Sequence, residues 1–234
     1  MVLVAACNEA ERIGATLAAV REALPHAHLW VADDGSRDAT ASIAGHAGAR
    51  VVRSERVIGK GGAVTAAARA ALQEASAGAA EHGETCVFVL CDGDLGESAR
   101  ELGALAGAVA RGEADVAVGA FASRVGGGLG IALGFARWAV RRRCGLQARA
   151  PISGQRALSA RALADVLPFA RGYGMELGMT IDAVRAGHRV IELELELTHR
   201  ASGRTLAGFL HRTRQLLDFV RVYLSRRNLR PRLR

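Results

Sequence analysis

The 234-residue sequence has few aromatic residues, a single lysine and no paired cysteines, and each shortage argues against a class of function. The pI is near 10.5. With only 4% aromatic residues, however, the basic positions are not interleaved with the rings that stack on bases. We therefore expect no nucleic-acid partner. The four cysteines form no Cys-x-x-Cys pair and have no histidine at zinc-ligand spacing, which favours free thiols in a reducing cytoplasm.

Long apolar runs are missing as well. The longest, 129–140, is interrupted by Arg137 and is too short to span a bilayer. Strand-forming residues follow Met1 at once, so we expect no signal peptide. These features predict a cytoplasmic protein that is either soluble or bound peripherally to the inner face of the membrane.

Positive charge is concentrated near the carboxyl terminus. Of the formal net charge of +8, residues 205–234 contribute +7 (eight arginines against Asp218), which leaves about +1 for 1–204. Apolar residues recur on one face of a helix predicted at 205–224: Leu206, Phe209, Leu210, Leu217, Val220 and Leu224. We therefore divide the chain into a domain, 1–204, and a basic amphipathic helix with its tail, 205–234. Two interpretations of the tail stay open: contact with an anionic membrane surface, or packing on the domain or a partner.

Short apolar segments alternate with helical patterns along the chain. Strands are predicted at 2–6, 28–32, 50–53, 86–90, 115–121 and 190–197. Helical patterns separate the first four strands, and later helices are predicted at 98–111, before Arg143, at 160–166 and at 175–186. This alternation predicts a three-layer α/β fold in which helices cover a mostly parallel central sheet.

Acidic residues follow three of the predicted strands directly: Glu9, Asp33, Asp34, Asp92 and Asp94. Ligands of open α/β sheets bind outside the carboxyl ends of the strands. Because parallel strands end at the same edge of a sheet, we expect these carboxylates to cluster there and to form the binding site.

Asp92-Gly93-Asp94 is the predicted metal site. Two carboxylates one residue apart at a strand end can both reach a divalent cation, and hard oxygen ligands suit Mg²⁺ or Mn²⁺. Such a cation would neutralise the charge that develops on a departing nucleoside diphosphate. Most isolated Asp-x-Asp pairs are solvated loop residues, but the further acids on the same edge favour a metal site here.

Two glycine-containing segments complete the predicted site. Asp33-Asp34-Gly35-Ser36 can hydrogen-bond a nucleotide base or ribose, with an ordinary Asx turn as the alternative. Gly59-Lys60-Gly61-Gly62 can place one ammonium beside phosphates, with a plain tight turn as the alternative. The sequence has neither a Walker loop nor a Gly-x-Gly-x-x-Gly after the first strand, which argues against a dinucleotide-binding enzyme.

Six segments in order resemble the signatures of family 2 glycosyltransferases with the GT-A fold, especially the polyprenyl-phosphate mannosyl- and glucosyltransferase branch. The segments are 5–9 (Ala-Ala-Cys-Asn-Glu), 32–40, 59–61, 92–95, 153–157 and 199–205. The resemblance runs from Val2 to about Thr205. Three positions depart from the pattern, because Ala5 and Cys7 replace the usual proline and tyrosine, and Gly96 replaces a frequent glutamine.

The resemblance implies a role for each matching position. The residues that it implies contact the nucleotide-sugar are Glu9, Asp33, Asp34, Lys60, Asp92, Gly93 and Arg124. The implied metal ligands are Asp94 and Asp92. The implied catalytic residues are Asp92, Asp94 and Glu176, of which Glu176 would act as a base. The diphosphate or an anionic acceptor would meet Ser153, Gly154, Arg156 and Arg200.

The predicted function is inverting transfer of a sugar from a UDP- or GDP-sugar, with Mg²⁺ or Mn²⁺, to an acceptor for which polyprenyl phosphate is one candidate. Two alternatives stay open. A non-catalytic nucleotide-sugar-binding protein docked to a membrane partner would share the site without turnover. A sugar-1-phosphate nucleotidyltransferase would need a glycine-rich basic loop after the first strand, where this chain has Asn8-Glu9-Ala10.

Overall fold

The computed structural model describes residues 1–82, 86–121, 130–197 and 206–227. The strands within these ranges are β1 (Val2–Ala6), β2 (Leu29–Asp33), β3 (Arg50–Arg53), β4 (Val87–Asp92), β5 (Val116–Phe121), β6 (Arg156–Ser159) and β7 (Val190–Leu195). The helices are α1 (Ile13–Ala23), α2 (Thr40–His46), α3 (Lys60–His82), α4 (Leu102–Ala110), α5 (Ile131–Cys144), α6 (Ala160–Val166), α7 (Met175–Arg185) and α8 (Leu206–Ser225). Short 3₁₀ helices, Gly96–Glu101 and Gly172–Gly174, precede α4 and α7.

The strands form one sheet in the order β3-β2-β1-β4-β6-β5-β7. β1 pairs in parallel with both β2 and β4, so the carboxyl ends of these three strands meet at one edge. β6 runs antiparallel to its neighbours β4 and β5. The predicted α/β fold with a mostly parallel sheet is confirmed. β6 was not predicted, since the sequence around 156–159 was interpreted only as a lead into α6.

Strand alternation divides the core into two layers. Val2 and Val4 of β1 are buried on one face of the sheet, in a cluster with residues of α1 and α4. Leu3 is buried on the other face, in a cluster with residues of α3 and α6. α3 fits closely against the sheet because small residues recur on its buried side: Ala63, Ala67, Ala68 and Ala71.

A third buried cluster joins α5, α7 and α8. The predicted terminal helix is confirmed as α8, which contributes Phe219 and Val222 to this cluster. Leu217 and Leu224, which were predicted on the same apolar face, are exposed, so the rest of the chain covers only part of that face. The sequence shows apolar periodicity but not which of two adjacent apolar stripes the rest of the chain covers. The side chains of Leu206, Phe209 and Leu210, which were also predicted on the apolar face, lie outside the described part of the chain.

None of the helices in the described ranges is long and apolar enough to cross a membrane.

Candidate active site

The predicted acids lie at the carboxyl edge of the sheet, on either side of β1. Asp33, the last residue of β2, is in register with Ala6, and Asp92, the last residue of β4, is in register with Ala5. Glu9 follows the end of β1 within the same edge. The strand order therefore brings residues that are nearly sixty positions apart in the sequence to the same edge of the sheet.

Lys60 bridges two of the carboxylates from the first residue of α3. Its Nζ lies 2.6 Å from Oδ1 of Asp92 and 2.6 Å from Oε1 of Glu176. Burial lowers the pKa of Lys60, but Asp92 and Glu176 outweigh that effect and raise the pKa well above its ordinary value. The ammonium is therefore charged at any physiological pH. We call Lys60, Asp92 and Glu176 the ion triad; with both carboxylates ionised, its net charge is −1.

Glu176 reaches the ion triad from the first turn of α7, where its side chain is buried. A carboxylate at this position is favoured by the helix dipole and by the free N–H groups of the first turn. The structure thus brings the residue predicted as a base to the same lysine as Asp92. Whether it abstracts a proton depends on the acceptor.

Residues leading into β6 hold the other side of Asp92. Gln155 donates from Nε2 to Oδ2 of Asp92 at 2.9 Å, and the Ser153 hydroxyl donates to Oε1 of Gln155 at 3.1 Å. A Cβ at Gly154 would lie 2.6 Å from Oδ2 of Asp92 and 2.7 Å from Nζ of Lys60. The backbone at Gly154 is therefore packed directly against the ion triad.

Gln155 was missed by the sequence analysis, although both of its neighbours were predicted as ligand contacts. Its side chain is almost fully buried. The sequence did offer one signal for Gln155: it is an amide side chain, which can donate to a carboxylate, and it lies between two predicted site residues. The sequence offers no means of pairing that amide with Asp92, because the pairing depends on the antiparallel register of β6 with β4.

Asp94 differs from the ion triad. It is half-buried, and among the described residues its carboxylate has no hydrogen bond or ion pair. The loop around it is held by its backbone carbonyl, which accepts from the guanidinium of Arg12 at 3.3 Å. Its oxygens are therefore free to bind a ligand.

A divalent cation fits this arrangement. The described residues contain no group of three or more His, Cys, Asp or Glu side chains placed to hold a metal ion. Mg²⁺ in phosphate-transferring sites is commonly held by one or two carboxylates and completed by substrate phosphates and water. Asp94 suits that role best. Asp92 is less available, because its two oxygens are already engaged with Lys60 and Gln155.

The two carboxylates at the end of β2 differ in their partners: Asp34 is held by backbone donors, and Asp33 also contacts the hydroxyl of Ser36 and the guanidinium of Arg53. Asp34 accepts from the backbone N–H of Ile58 at 2.7 Å and of Gly59 at 2.9 Å, immediately before Lys60. Asp33 is buried, accepts from the backbone N–H of Ser36 at 3.1 Å, and lies 3.2 Å from Nε of Arg53. These two acids fix the loops that follow β2 and β3.

The loop after β1 is tied to the loop after β2 through its own backbone. The N–H of Glu9 donates to Oγ1 of Thr40 at 2.8 Å, and the N–H of Ala10 donates to Oδ2 of Asp38 at 3.1 Å. Glu9 is half-buried. The two loops therefore form one connected rim beside the ends of β1 and β2.

Arg156 does not lie where its predicted contact with a diphosphate or an acceptor would require. Its guanidinium is fully buried and donates to the carbonyl oxygens of Ser153 at 2.8 Å and Pro151 at 3.0 Å, and to Oγ1 of Thr180 at 2.8 Å. Burial lowers the pKa of Arg156 to about 10, against the opposing effect of Glu176. A guanidinium enclosed in this way anchors the segment 151–156 and does not face a diphosphate or an acceptor.

The remaining predicted residues are placed as follows. Gly93 is buried at the end of β4, where its N–H donates to the carbonyl of Ala5 at 2.8 Å. Arg124 and Arg200 lie outside the described residues. Two cavities of about 490 Å³ lie away from the carboxyl edge, one beside Met1 and Glu74 and one beside Trp138 and residues 147–149.

Comparisons with known proteins agree with this geometry. The model of the family "Glycosyl transferase family 2" matches residues 1–155. Glucosyl-3-phosphoglycerate synthase from Mycobacterium tuberculosis, solved with Mn²⁺, UDP and phosphoglyceric acid, is 27% identical and superposes with a TM-score of 0.72, covering 97% of this chain and 78% of that one. A complex of the same synthase with Mg²⁺ and UDP is 28% identical, with a TM-score of 0.71 and coverages of 96% and 78%. A third, with Mn²⁺, UDP-glucose and glycerol 3-phosphate, is 25% identical, with a TM-score of 0.69 and the same coverages. No curated protein sequence matches the chain.

Proposed function

Because the chain belongs to glycosyl transferase family 2, we propose that it transfers glucose from UDP-glucose to a small phosphorylated acceptor, with Mn²⁺ or Mg²⁺ bound at Asp94. The donor and the metal are those in the complexes of the M. tuberculosis synthase. The acceptor class follows from the same complexes, which contain phosphoglyceric acid or glycerol 3-phosphate. A small phosphorylated molecule therefore replaces polyprenyl phosphate as the first candidate acceptor.

The observation that carries the proposal is the ion triad two residues from Asp94, whose carboxylate has no partner among the described residues. Lys60 holds two carboxylates in place, and Gln155 orients the second oxygen of Asp92. Charges that are fixed before the reaction need no reorganisation when charge develops on the substrate. When bound, a divalent cation would offset the negative charge of the departing nucleoside diphosphate.

The donor would lie along the carboxyl edge, with its nucleoside on the rim formed by Glu9, Asp33 and Asp34. Its diphosphate would lie toward Asp94, where the free carboxylate oxygens are. Arg124 and Arg200, outside the described residues, remain the proposed cationic contacts for the diphosphate and the acceptor. The proposal needs such cations, since the ion triad and Asp94 together are negative.

Glu176 is the proposed base if a hydroxyl of the acceptor attacks. Its 2.6 Å contact with Lys60 uses Oε1, so Oε2 would be the oxygen within hydrogen-bond reach of the proton it accepts. Direct in-line attack predicts inversion at the anomeric carbon. A product with retained anomeric configuration, read by NMR, would exclude this single displacement and the role of Glu176 as its base.

A lipid phosphate is the second candidate acceptor. The observation that favours it is the combination of exposed arginines and apolar side chains on α5 and α8, such as Arg142 and Trp138. A phosphate oxygen is already ionised near neutral pH, so this reaction would need no base. Activity of Glu176→Gln with each acceptor class would distinguish the two.

The first experiment is thermal denaturation with UDP, GDP and their sugars, each with and without Mn²⁺. A ligand at about a hundred times its Kd stabilises the fold by about 2.7 kcal/mol. We expect metal-dependent stabilisation by UDP and UDP-glucose that is lost in Asp94→Ala and kept in Glu113→Ala, an exposed acid at the opposite edge.

Turnover is then measured with phosphoglycerate, glycerol 3-phosphate and polyprenyl phosphate as acceptors. Product from a small phosphate supports the proposal, and product from polyprenyl phosphate alone selects the second candidate. Binding of UDP-glucose without turnover of any acceptor would favour the non-catalytic binding protein. If the folded protein bound none of these nucleotides or nucleotide-sugars, the proposed donor site would be contradicted.

A further inference from the structure

Large apolar side chains are exposed on two neighbouring helices. Ile131 and Trp138 of α5 are 61% and 43% exposed, and Leu217 and Leu224 of α8 are 51% and 55% exposed. These are four of the seven exposed large apolar residues in the described part of the chain. A concentration of this kind is typical of an interaction surface.

The two helices lie side by side. The ring of Trp138 is 4.8 Å from that of Tyr223, and the ring of Phe135 is 6.1 Å from Tyr223. At about 100° per residue, Leu224 lies next to Tyr223 around α8, and Leu217 lies two turns earlier on the same stripe as Leu224. On α5, Ile131 precedes Trp138 by two turns. The exposed apolar residues therefore flank one aromatic seam.

Arginines surround this seam, and acids are scarce. α5 contains four arginines, Arg137, Arg141, Arg142 and Arg143, and no aspartate or glutamate. Arg142 is exposed on α5, and Arg221 is exposed on α8, where it pairs with Asp218 at 3.0 Å. We define the α5–α8 face as Ile131, Trp138, Arg142, Leu217, Arg221 and Leu224.

The charge of the α5–α8 face selects the kind of partner. A second copy related by a two-fold axis would bring the same patch against itself, and so arginine toward arginine, which opposes association. An anionic partner would be attracted. Exposed aliphatic residues and a tryptophan beside arginines are the composition that binds the interface of an anionic membrane.

We propose that the α5–α8 face docks this protein on an anionic lipid surface. Ile131, Trp138, Leu217 and Leu224 enter the boundary between headgroups and acyl chains, while Arg142 and Arg221 meet the lipid phosphates. Each arginine near such a surface strengthens binding about fivefold. The proposal does not depend on the acceptor, because a peripheral enzyme can act on a small molecule or on a lipid.

The tryptophans make this surface directly measurable. The sequence has two, of which Trp30 is buried, so a change in emission on binding reports Trp138. The full chain is titrated with vesicles of phosphatidylcholine and with vesicles that also contain phosphatidylglycerol. We expect a blue shift and co-sedimentation with the anionic vesicles only, both weakened by salt, because screening reduces the attraction.

Two charge changes test the face itself. Arg142→Glu and Leu224→Glu should each weaken vesicle binding at least about tenfold, since each places a negative charge at the lipid surface. Arg69→Glu, an exposed arginine on α3, makes the same charge change elsewhere and should leave binding unchanged. All three positions are exposed, so unchanged thermal unfolding is expected and serves as the check on folding.

Three results would overturn the proposal. The first is no binding of the unmodified chain to anionic vesicles. The second is equal loss of binding in Arg69→Glu, which would mean that net charge rather than the α5–α8 face is responsible. The third is a dimer in sedimentation analysis that Leu224→Glu dissociates, which would show that a second copy covers the face. Turnover of a soluble acceptor by Leu224→Glu reports separately on the proposed function.

Discussion

The ends of β2 and β4 both carry acids at the same edge of the sheet, yet the two groups of acids have different partners. After β2, Asp34 accepts from the backbone N–H groups of Ile58 and Gly59, and Asp33 is buried among Ser36 and Arg53. After β4, Asp92 is held by the side chains of Lys60 and Gln155, and Asp94 has no partner among the described residues. The backbone-held Asp34 fixes a loop, and Asp92 is fixed within the ion triad, whereas the carboxylate of Asp94, with no partner among the described residues, is available to a ligand.

This difference predicts that changes after β4 affect activity first, whereas changes after β2 affect stability first. Substitutions on each side, measured for both quantities, can confirm or break the division.

Asp94→Ala should have the largest effect on activity. Removing one fixed electrostatic contact at a reacting centre typically lowers kcat by roughly 10²–10³-fold. Because Asp94 has no described partner, the free energy of unfolding should stay the same within about 0.5 kcal/mol. Steady-state kinetics and urea denaturation measure the two quantities. Full activity in Asp94→Ala would contradict the proposal that Asp94 binds the metal.

Lys60→Met should lower both activity and stability, because it leaves Asp92 and Glu176 without their shared cation. Breaking a buried pair costs about 3–5 kcal/mol; the partial exposure of Lys60 reduces the expected loss to about 2 kcal/mol. The double variant Lys60→Met with Glu176→Gln should recover part of that loss, and a double-mutant cycle measures the coupling. Strictly additive effects would contradict the ion triad.

The stabilisation from Lys60 also has a defined pH dependence. The pKa of Lys60 is raised in the folded state, so its contribution is fully present below the ordinary lysine pKa of about 10.4. It is lost only as pH rises through the raised value. Proton release by Lys60 should therefore cause no loss of stability between pH 6 and about 10.

Gly154→Ala should reduce activity about tenfold or more with a modest loss of stability. The new methyl would meet Asp92 at 2.6 Å and Lys60 at 2.7 Å, so one of these side chains must shift. Small displacements of reacting groups have large effects on rate. Gly134→Ala, whose Cβ would meet nothing within 4 Å, is the matched control and should keep full activity. Similar activities of the two variants would contradict the contact.

Asp34→Ala should mainly affect stability. It leaves the backbone N–H groups of Ile58 and Gly59 without their acceptor, which costs about 1–3 kcal/mol. Asp34→Asn retains an acceptor oxygen and should cost less. Urea denaturation gives these values. If instead UDP affinity falls while stability is unchanged, Asp34 contacts the nucleoside directly, as the family resemblance implies.

The smallest effect concerns Cys7, which is exposed beside the rim of the proposed nucleoside site. Partial burial, and then the nearby Asp34, raise the pKa of its thiol above 9.0. Alkylation should therefore be slow at pH 8 and become faster as pH rises past 9, because the thiolate is the nucleophile. UDP with Mn²⁺ should slow it a few-fold. Equal rates with and without UDP would place the nucleoside elsewhere.

Much of the fold could be predicted from local patterns. Apolar segments bounded by turn residues identified β1 through β5 and β7, and alternation with helices predicted the parallel sheet. β6 was missed because four residues beginning with Arg156 do not look like a buried strand. The partners that make burial of Arg156 tolerable are two backbone carbonyls and Thr180, and none of them is visible in the sequence.

The site was predictable only in part, and for a physical reason. Acids at strand ends identify the edge, because the position of a strand end is local information. The ion triad joins Lys60 to a residue 116 positions away, through the packing of α3 and α7 near one strand end. Such contacts depend on tertiary packing, and so neither Gln155 nor the shared lysine could be inferred as partners of Asp92.

One feature of composition gives the ion triad a practical use in chemical labelling. Lys60 is the only lysine in the sequence, so reductive alkylation, which is selective for amines, has a single side-chain target. The mass of a peptide containing Lys60 then measures how often the amine is released from its two carboxylates. Labelling rates with and without donor would follow the opening of the site during the reaction cycle without any introduced probe.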